Sequence, residues 1–216
     1  MNAVFRHSLI YSLILSLLLP PAAFGAGIEP DPSQGKGPSV TTAPNGVPLV
    51  NIKAPSASGL SHNQYKDFNV NSQGAILNNS SKAVSTQLGG IVGANPNLGG
   101  KAAKTILNEV TGANRSHIQG YIEVAGQKAD VILANPNGIT VNGGGFINTN
   151  RAMVTTGKPN VDGAGQLRSI DVQQGDVRIE GAGINASNIT GFDILSRATE
   201  INAEIYANDL TITTGV

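Results

Sequence analysis

From Tyr65 onward the sequence is a succession of β-prone pieces three to five residues long, with a turn signal after nearly every one. Phe68 to Val70, Ala75 to Leu77, Tyr121 to Val124, Val131 to Leu133, Ile139 to Val141 and Ala152 to Thr155 all read this way. So do Ser169 to Val172, Asp176 to Ile179, Phe192 to Leu195, Glu204 to Tyr206 and Leu210 to Ile212. Asn-Asn, Gly-Gly, Asn-Gly, Asp-Gly and Gly-Ala-Gly steps separate them, and such a rhythm predicts an all-β chain. Lys101 to Val110 is the one stretch that also reads as helix, although Ile106, Leu107 and Val110 fit a short strand nearly as well.

Composition supports the same class. The 216 residues include 27 Gly, 11 Pro and 22 Asn, and only 13% are charged. Typical domains are about 25% charged, so a solvated helical surface is not expected. Hydrophobic content of 40% argues against full disorder. With no cysteine the chain has no disulfide framework and no thiol chemistry. A formal net charge of zero removes the electrostatic footprint of a nucleic-acid binder.

Repetition favours a solenoid over a sandwich. Asn95-Pro96-Asn97 recurs 40 residues later as Asn135-Pro136-Asn137, and Ile184-Asn185-Ala186 recurs 17 later as Ile201-Asn202-Ala203. These offsets predict coils of roughly 20 residues. In such coils aliphatic side chains stack inward and Gly or Asn turns the corners. Aromatics would overfill a narrow interior, in keeping with their scarcity. About seven coils are expected between Tyr65 and Val216, a stack roughly 35 Å tall at a strand spacing of about 4.8 Å.

Residues 1–25 read as a secretory signal peptide. Arg6 and His7 precede an apolar run from Leu9 to Leu19, and Pro20-Pro21 end it. Cleavage is expected after Gly25, with Ala23 and Ala26 as alternatives. The run is well short of the roughly 20 apolar residues that span a bilayer. Residues 26–64, punctuated by Pro30, Pro32, Gly35, Gly37, Pro38, Pro44 and Gly46, read as an arm and cap with room for short strands. Within them Val47 to Lys53 is a candidate first strand, with Pro48 confined to an edge or a strand start. Residues 65–216 read as the solenoid.

Asn-Pro-Asn is a turn sequence on physical grounds alone. The first Asn accepts from backbone N–H groups, Pro presets φ, and the second Asn tolerates the bridge region. Its two occurrences, Asn95-Pro96-Asn97-Leu98 and Asn135-Pro136-Asn137-Gly138-Ile139, therefore read first as corner turns. Their surroundings add to this. In this order behind a signal peptide they resemble the paired motifs of the two-partner secretion domain. That domain opens filamentous-haemagglutinin-like exoproteins and contact-dependent growth-inhibition toxins. The resemblance extends through Asn45-Gly46-Val47-Pro48-Leu49-Val50-Asn51-Ile52, the block from Gly59 to Val70, Gln87-Leu88-Gly89-Gly90, Tyr121 to Gly126 and Gly145-Phe146-Ile147-Asn148. It covers residues 27–216.

The resemblance implies a right-handed parallel β-helix, a single-stranded solenoid with an N-terminal cap and extra-helical hairpins. It also implies a role as an export signal. The chain would enter the periplasm through the general secretion machinery and dock unfolded on the POTRA domains of a TpsB-type outer-membrane β-barrel. It would fold at the cell surface or in the medium of a Gram-negative bacterium. On that view Asn95, Pro96, Asn97, Leu98, Asn135, Pro136, Asn137, Gly138 and Ile139 serve partner recognition. No cofactor, metal or nucleic acid is implied. Receptor binding on host or bacterial cells would belong to a C-terminal region outside this chain, which reads as a fragment of a longer exoprotein or a short one capped by a partner. Some relatives carry Cys-x-x-Cys where this chain has Val141 and Gly144, so no redox feature transfers.

Two rival functions deserve named residues. A polysaccharide-degrading β-helix enzyme would need clustered carboxylates, for which Asp171, Asp176 and Glu180 around Arg178, or Asp193 with Arg197, are the candidates. An alternating strand with a charged outer face explains the same residues. Ser61, His62 and Asp67 hold triad residue types, which count only by geometry. His62 and His117 lie outside any metal-ligand spacing. Asn142-Gly143-Gly144-Gly145 lacks the Lys-Ser/Thr of a phosphate loop. Asn114-Arg115-Ser116 and Asn188-Ile189-Thr190 are sequons of the kind an Asn-rich chain produces by chance. Direct adhesion is the other rival, and the six aromatics after residue 25 are few for a sugar-stacking surface.

Overall fold

The computed structural model describes residues 27–215, so the expected signal peptide lies outside the described residues. Strands dominate the described chain, and one 3-10 turn, Pro32–Gln34, is its only helical element. The short β-prone pieces wind into a parallel β-helix with three faces. Pro48–Asn51, Ala75–Asn79, Tyr121–Gly126, Gly145–Ile147, Ile184–Ala186 and Ile205–Ala207 stack in parallel as one face. Leu60–Phe68, Thr105–Val110, Ala129–Ala134, Thr149–Thr155, Gly191–Ser196 and Leu210–Thr214 form the second. Ser116–Ile118, Ile139–Val141, Asp176–Ile179 and Ala198–Ile201 form the third, and Val70 bridges onto Ile118. Each coil visits the faces in that order. Parallel ladders thus start at Leu49 and Leu60, ahead of residue 65.

Alternation puts one side of each strand inside. Val50, Leu77, Val124, Ile106, Val131, Val154, Ile139, Val177 and Ile179 are buried in one continuous core. Burying such a side chain stabilises by about 1.5–3 kcal/mol, and β-branched residues suit the pleat. At the N-terminal end Ile28–Pro30 and Ser39–Thr42 run antiparallel to Leu60–Phe68 and Pro48–Asn51. They cover the first coil's open edges. Two antiparallel hairpins leave the helix, Val84–Thr86 with Gly90–Val92 and Lys158–Val161 with Leu167–Asp171. Pro48 sits at a strand start, where its missing N–H costs no ladder bond.

Several expectations change. Lys101 to Val110 is not helical; its second part is the strand Thr105–Val110, with Ile106 and Leu107 fully buried on opposite sides of the sheet. Asn78-Asn79 is not a turn but the buried end of Ala75–Asn79. Among the described residues the coils number six, of which five begin after Tyr65 where seven are expected, because the hairpins consume residues without adding to the stack. The offsets of 40 and 17 do not measure a coil. Asn95 precedes a second-face strand and Asn135 follows one. Ile184 lies on the first face and Ile201 on the third. The register gives Ile184 opposite Ile205 instead. The interior also accepts aromatics. Tyr65 and Phe68 are buried edge to face with centroids 5.0 Å apart, and Phe146 packs against Phe192 at 6.0 Å.

Candidate functional site

The two Asn-Pro-Asn turns are corners, and each is clamped to the coil laid down before it. In the first, Asn95 Nδ2 donates to the carbonyls of Ile52 at 3.0 Å and Asn78 at 2.7 Å. Its Oδ1 accepts from Asn97 N at 2.8 Å, and its own N–H donates to Ser80 O. Asn97 Nδ2 reaches Asn51 O at 3.0 Å. Pro96 is exposed at the apex, while Leu98 plugs into the core with 2% exposure.

The second corner repeats the plan on a different edge. Asn135 Nδ2 donates to Asn114 O and Ser116 Oγ, both at 2.9 Å, and Asn135 Oδ1 accepts from Asn137 N. Asn137 Nδ2 donates to Gly112 O at 2.8 Å. Gly138 N–H closes the turn onto Asn135 O at 3.0 Å, and Gly138 O accepts from Ser116 N. Gly138 has φ +108°, which disfavours any side chain, and Ile139 is buried in the core. Asn95 and Asn135 are 4% and 0% exposed. A buried carboxamide needs its donors and acceptors matched, and these two have them.

The sequence points to the turns but misses their cradles. Asn51, Asn78 and Ser80 receive the first corner; Gly112, Asn114 and Ser116 receive the second. Asn78 Nδ2 also donates to Asn51 Oδ1 and Gly93 O, and Asn79 bonds Ala103 and Gln127. The available signal was Asn at the end of a β-prone run, at Asn51 and Asn78, which cannot be buried without partners. The chance sequon at Asn114 is part of this cradle, and Asn114 Nδ2 already donates to Asp67 Oδ1 at 2.8 Å.

The residues weighed for catalysis are not brought together. Ser61 Oγ donates to Lys53 O, His62 faces Glu109 at 2.7 Å, and Asp67 holds Asn114. Asp171 lies on a hairpin, beside Asn160 and Ser169. Asp176 pairs with Arg115 and Arg178 on the third face, and Asp193 pairs with Arg151 on the second. Burial, then the charge of Arg115, lowers His117 below its usual range, against an opposing pull from Glu180.

Comparison with known proteins gives this geometry a family. The model of the TPS secretion domain matches residues 26–216. The chain is 52% identical over 206 residues to the 16S rRNA endonuclease CdiA of Enterobacter cloacae subsp. cloacae, covering 94% of this chain and 6% of that protein. It is 50% identical over 213 residues to the tRNA nuclease CdiA of Yersinia mollaretii, covering 98% of this chain and 7% of the relative. The chain thus spans only a small fraction of the curated relatives it matches. The crystal structure of the filamentous hemagglutinin secretion domain superposes with a TM-score of 0.80 at 36% identity, over 88% of this chain and 64% of that one. The chain belongs to the TPS secretion domain family of CdiA-like and filamentous-haemagglutinin-like exoproteins.

Proposed function

We propose that this domain is the export signal of a large adhesin or contact-dependent inhibition toxin of a Gram-negative bacterium. The POTRA domains of a TpsB-type outer-membrane barrel read it as an unfolded chain, and it folds outside the cell, on the surface or in the medium. The segment itself does not catalyse. The nuclease activities named for the CdiA relatives, and any receptor binding on a target cell, belong to parts of an exoprotein outside this chain.

The burial of Asn95 and Asn135 carries this reading. A partner can touch these carboxamides only before the coils close, so recognition that depends on them precedes folding. Fold topology supports the order of events. Ladder partners lie far apart in the chain, from Asp193 opposite Thr211 to Ile122 opposite Ala75. Long-range parallel pairing is slow to nucleate, which keeps a chain export-competent. An extended, unpaired segment offers backbone groups for strand addition to a partner sheet with little sequence demand.

The test is deletion of the partner barrel's gene in the producing strain. The expected outcome is a chain that loses its signal peptide, stays in the periplasm and disappears from the medium. Undiminished release without the barrel would contradict the proposal.

A further inference from the structure

We infer that the groove between the cap, the outer side of the second face and the Lys158–Val161 hairpin strand binds a neutral saccharide, with Glu109 as its central acceptor. The site belongs to the folded chain, and its chemistry does not depend on how the chain is exported.

Strand alternation builds the floor. Leu60, His62 and Gln64 share the outer side of Leu60–Phe68, and the register sets Glu109 between Gln64 and Ala134. His62 Nε2 and Gln64 Nε2 both donate to Glu109 Oε2, at 2.7 and 3.1 Å. Gln34, in the 3-10 turn of the cap, accepts from Gln64 Nε2 at 3.4 Å. Two strands and the cap thus hold one carboxylate in place. Glu109 is only 6% exposed, yet its Oε1 takes no hydrogen bond from the described residues and opens into the groove. The methyl of Ala134 offers it no donor. A carboxylate oxygen withdrawn this far from water is costly without a donor, and a ligand hydroxyl supplies one.

The walls decide the ligand class. The groove holds about 600 Å³, within the range of about 300–1,000 Å³ typical of small-ligand sites. Asp162 Oδ2 accepts from Arg168 Nε at 2.6 Å, which leaves the two Nη groups of Arg168 as open donors. Asn160 spends its Nδ2 on Ser169 and Asp171, and its Oδ1 remains an open acceptor. Lys158 makes no ion pair among the described residues. Glu109 and Asp162 balance Lys158 and Arg168, so the groove favours neither an anion nor a cation. Among the described residues no set of three His, Asp or Glu is placed to hold a metal ion. Open donors beside open acceptors at zero net charge match hydroxyl groups, each of which donates one hydrogen bond and accepts others. Pro159 and Val161 add apolar surface for ring carbons. No Phe, Tyr or Trp lines the groove, so selection comes from hydrogen bonds rather than stacking. The hydrogen bonds already fixing Glu109 lower the ordering cost of binding. A chain that folds outside the cell meets saccharide first on the cell that exported it, so the site serves that cell's own surface. This last clause alone rests on the export reading.

The experiment screens the purified folded chain against an array of neutral, sulfated and carboxylated oligosaccharides that includes those of the producing strain's surface. The strongest neutral binder is then titrated into isotope-labelled parent, Glu109→Gln and Arg168→Gln chains by NMR. In Glu109→Gln the two donors beside Oε2 keep the amide oxygen on their side, so an NH₂ faces the groove and the acceptor is lost. Shifts in the parent should centre on residues 62–64, 109 and 158–162. Glu109→Gln should weaken binding roughly tenfold and Arg168→Gln by a smaller factor, both at the parent Tm. Parent-like affinity of Glu109→Gln would overturn the site, as would shifts centred instead on Met153 and Asp193. An array that retains only sulfated or carboxylated glycans, or none, would overturn it as well. Binding confined to neutral glycans absent from the producing strain would overturn the placement on that cell. Release of the chain without its partner barrel would end the export reading and leave the groove's binding unchanged.

Discussion

Asn135 shows what a single side chain contributes here. Its carboxamide makes four bonds inside a site with no solvent exposure, two from Nδ2 and two to Oδ1. Asn135→Ala removes all four and leaves the Asn114 carbonyl and the Asn137 N–H short of a partner. Losing a buried polar network of this kind costs about 2–4 kcal/mol. Thermal unfolding of the folded chain should show this as a clear drop in Tm; a shift indistinguishable from that of a surface substitution would contradict the assignment. The turn itself was legible from Asn-Pro-Asn. Its partners were not, because they lie 19 to 25 residues away on the preceding coil, and no local pattern reports which carbonyls a folded corner will meet.

The cap and the hairpins are the elements whose antiparallel pairs lie outside the parallel ladders of the coils. Asp31 belongs to the cap and reaches across to the second coil, where Thr111 Oγ1 donates to it at 2.6 Å. That bond, and those from Ser33, hold its carboxyl down at about 2. A lowered folded pKa means that the contribution is complete above the unfolded value, near 3.9, and disappears as pH falls through about 2. Stability of the parent chain relative to Asp31→Asn should therefore shrink between about pH 4 and pH 2, measured by denaturant unfolding; a difference independent of pH would contradict this role. The Lys158–Asp171 hairpin crosses the second face. Val161 and Leu167 pack there on the cluster of Leu60, Leu107, Ile132 and Ala134. Its tip is tied down where Ser56 and Ser58 hydroxyls donate to Gly165 O at 2.8 and 2.9 Å, and grooves of about 450 and 600 Å³ remain on either side. Replacing both serines with Ala should raise hydrogen exchange within residues 158–171 and leave the coils unchanged, a local opening rather than a global one. Equal acceleration across the coils would contradict this. Ser169 to Val172 read correctly as a strand, yet nothing in its composition told a hairpin strand from a coil strand. That distinction depends on what each strand pairs with.

At the scale of the molecule, the all-β class and the solenoid were legible because each coil repeats the same demand: short aliphatic strands inside, Gly and Asn at corners. Register was not legible. The inserted hairpins break the period, so matching triplets such as Ile184-Asn185-Ala186 and Ile201-Asn202-Ala203 fall on different faces. The aromatic pairs escaped for a similar reason, since only the cross-section of the assembled helix shows that Phe146 and Phe192 fit. Protection should fall along the stack. Inward-facing Leu210 and Ile212 are each 40% exposed, whereas Ile106 and Ile139 are fully buried. In the 216-residue chain, exchange should be slowest in the second and third coils and fastest at Leu210–Thr214; a uniform profile would contradict a solenoid of semi-independent coils. The central claim joins fold and export at the corners. Its most direct test is the amount of Asn135→Ala protein in the medium of cells that carry the intact transporter. The account predicts that the variant is made and enters the periplasm normally but is strongly depleted outside, and release equal to the parent chain would contradict it.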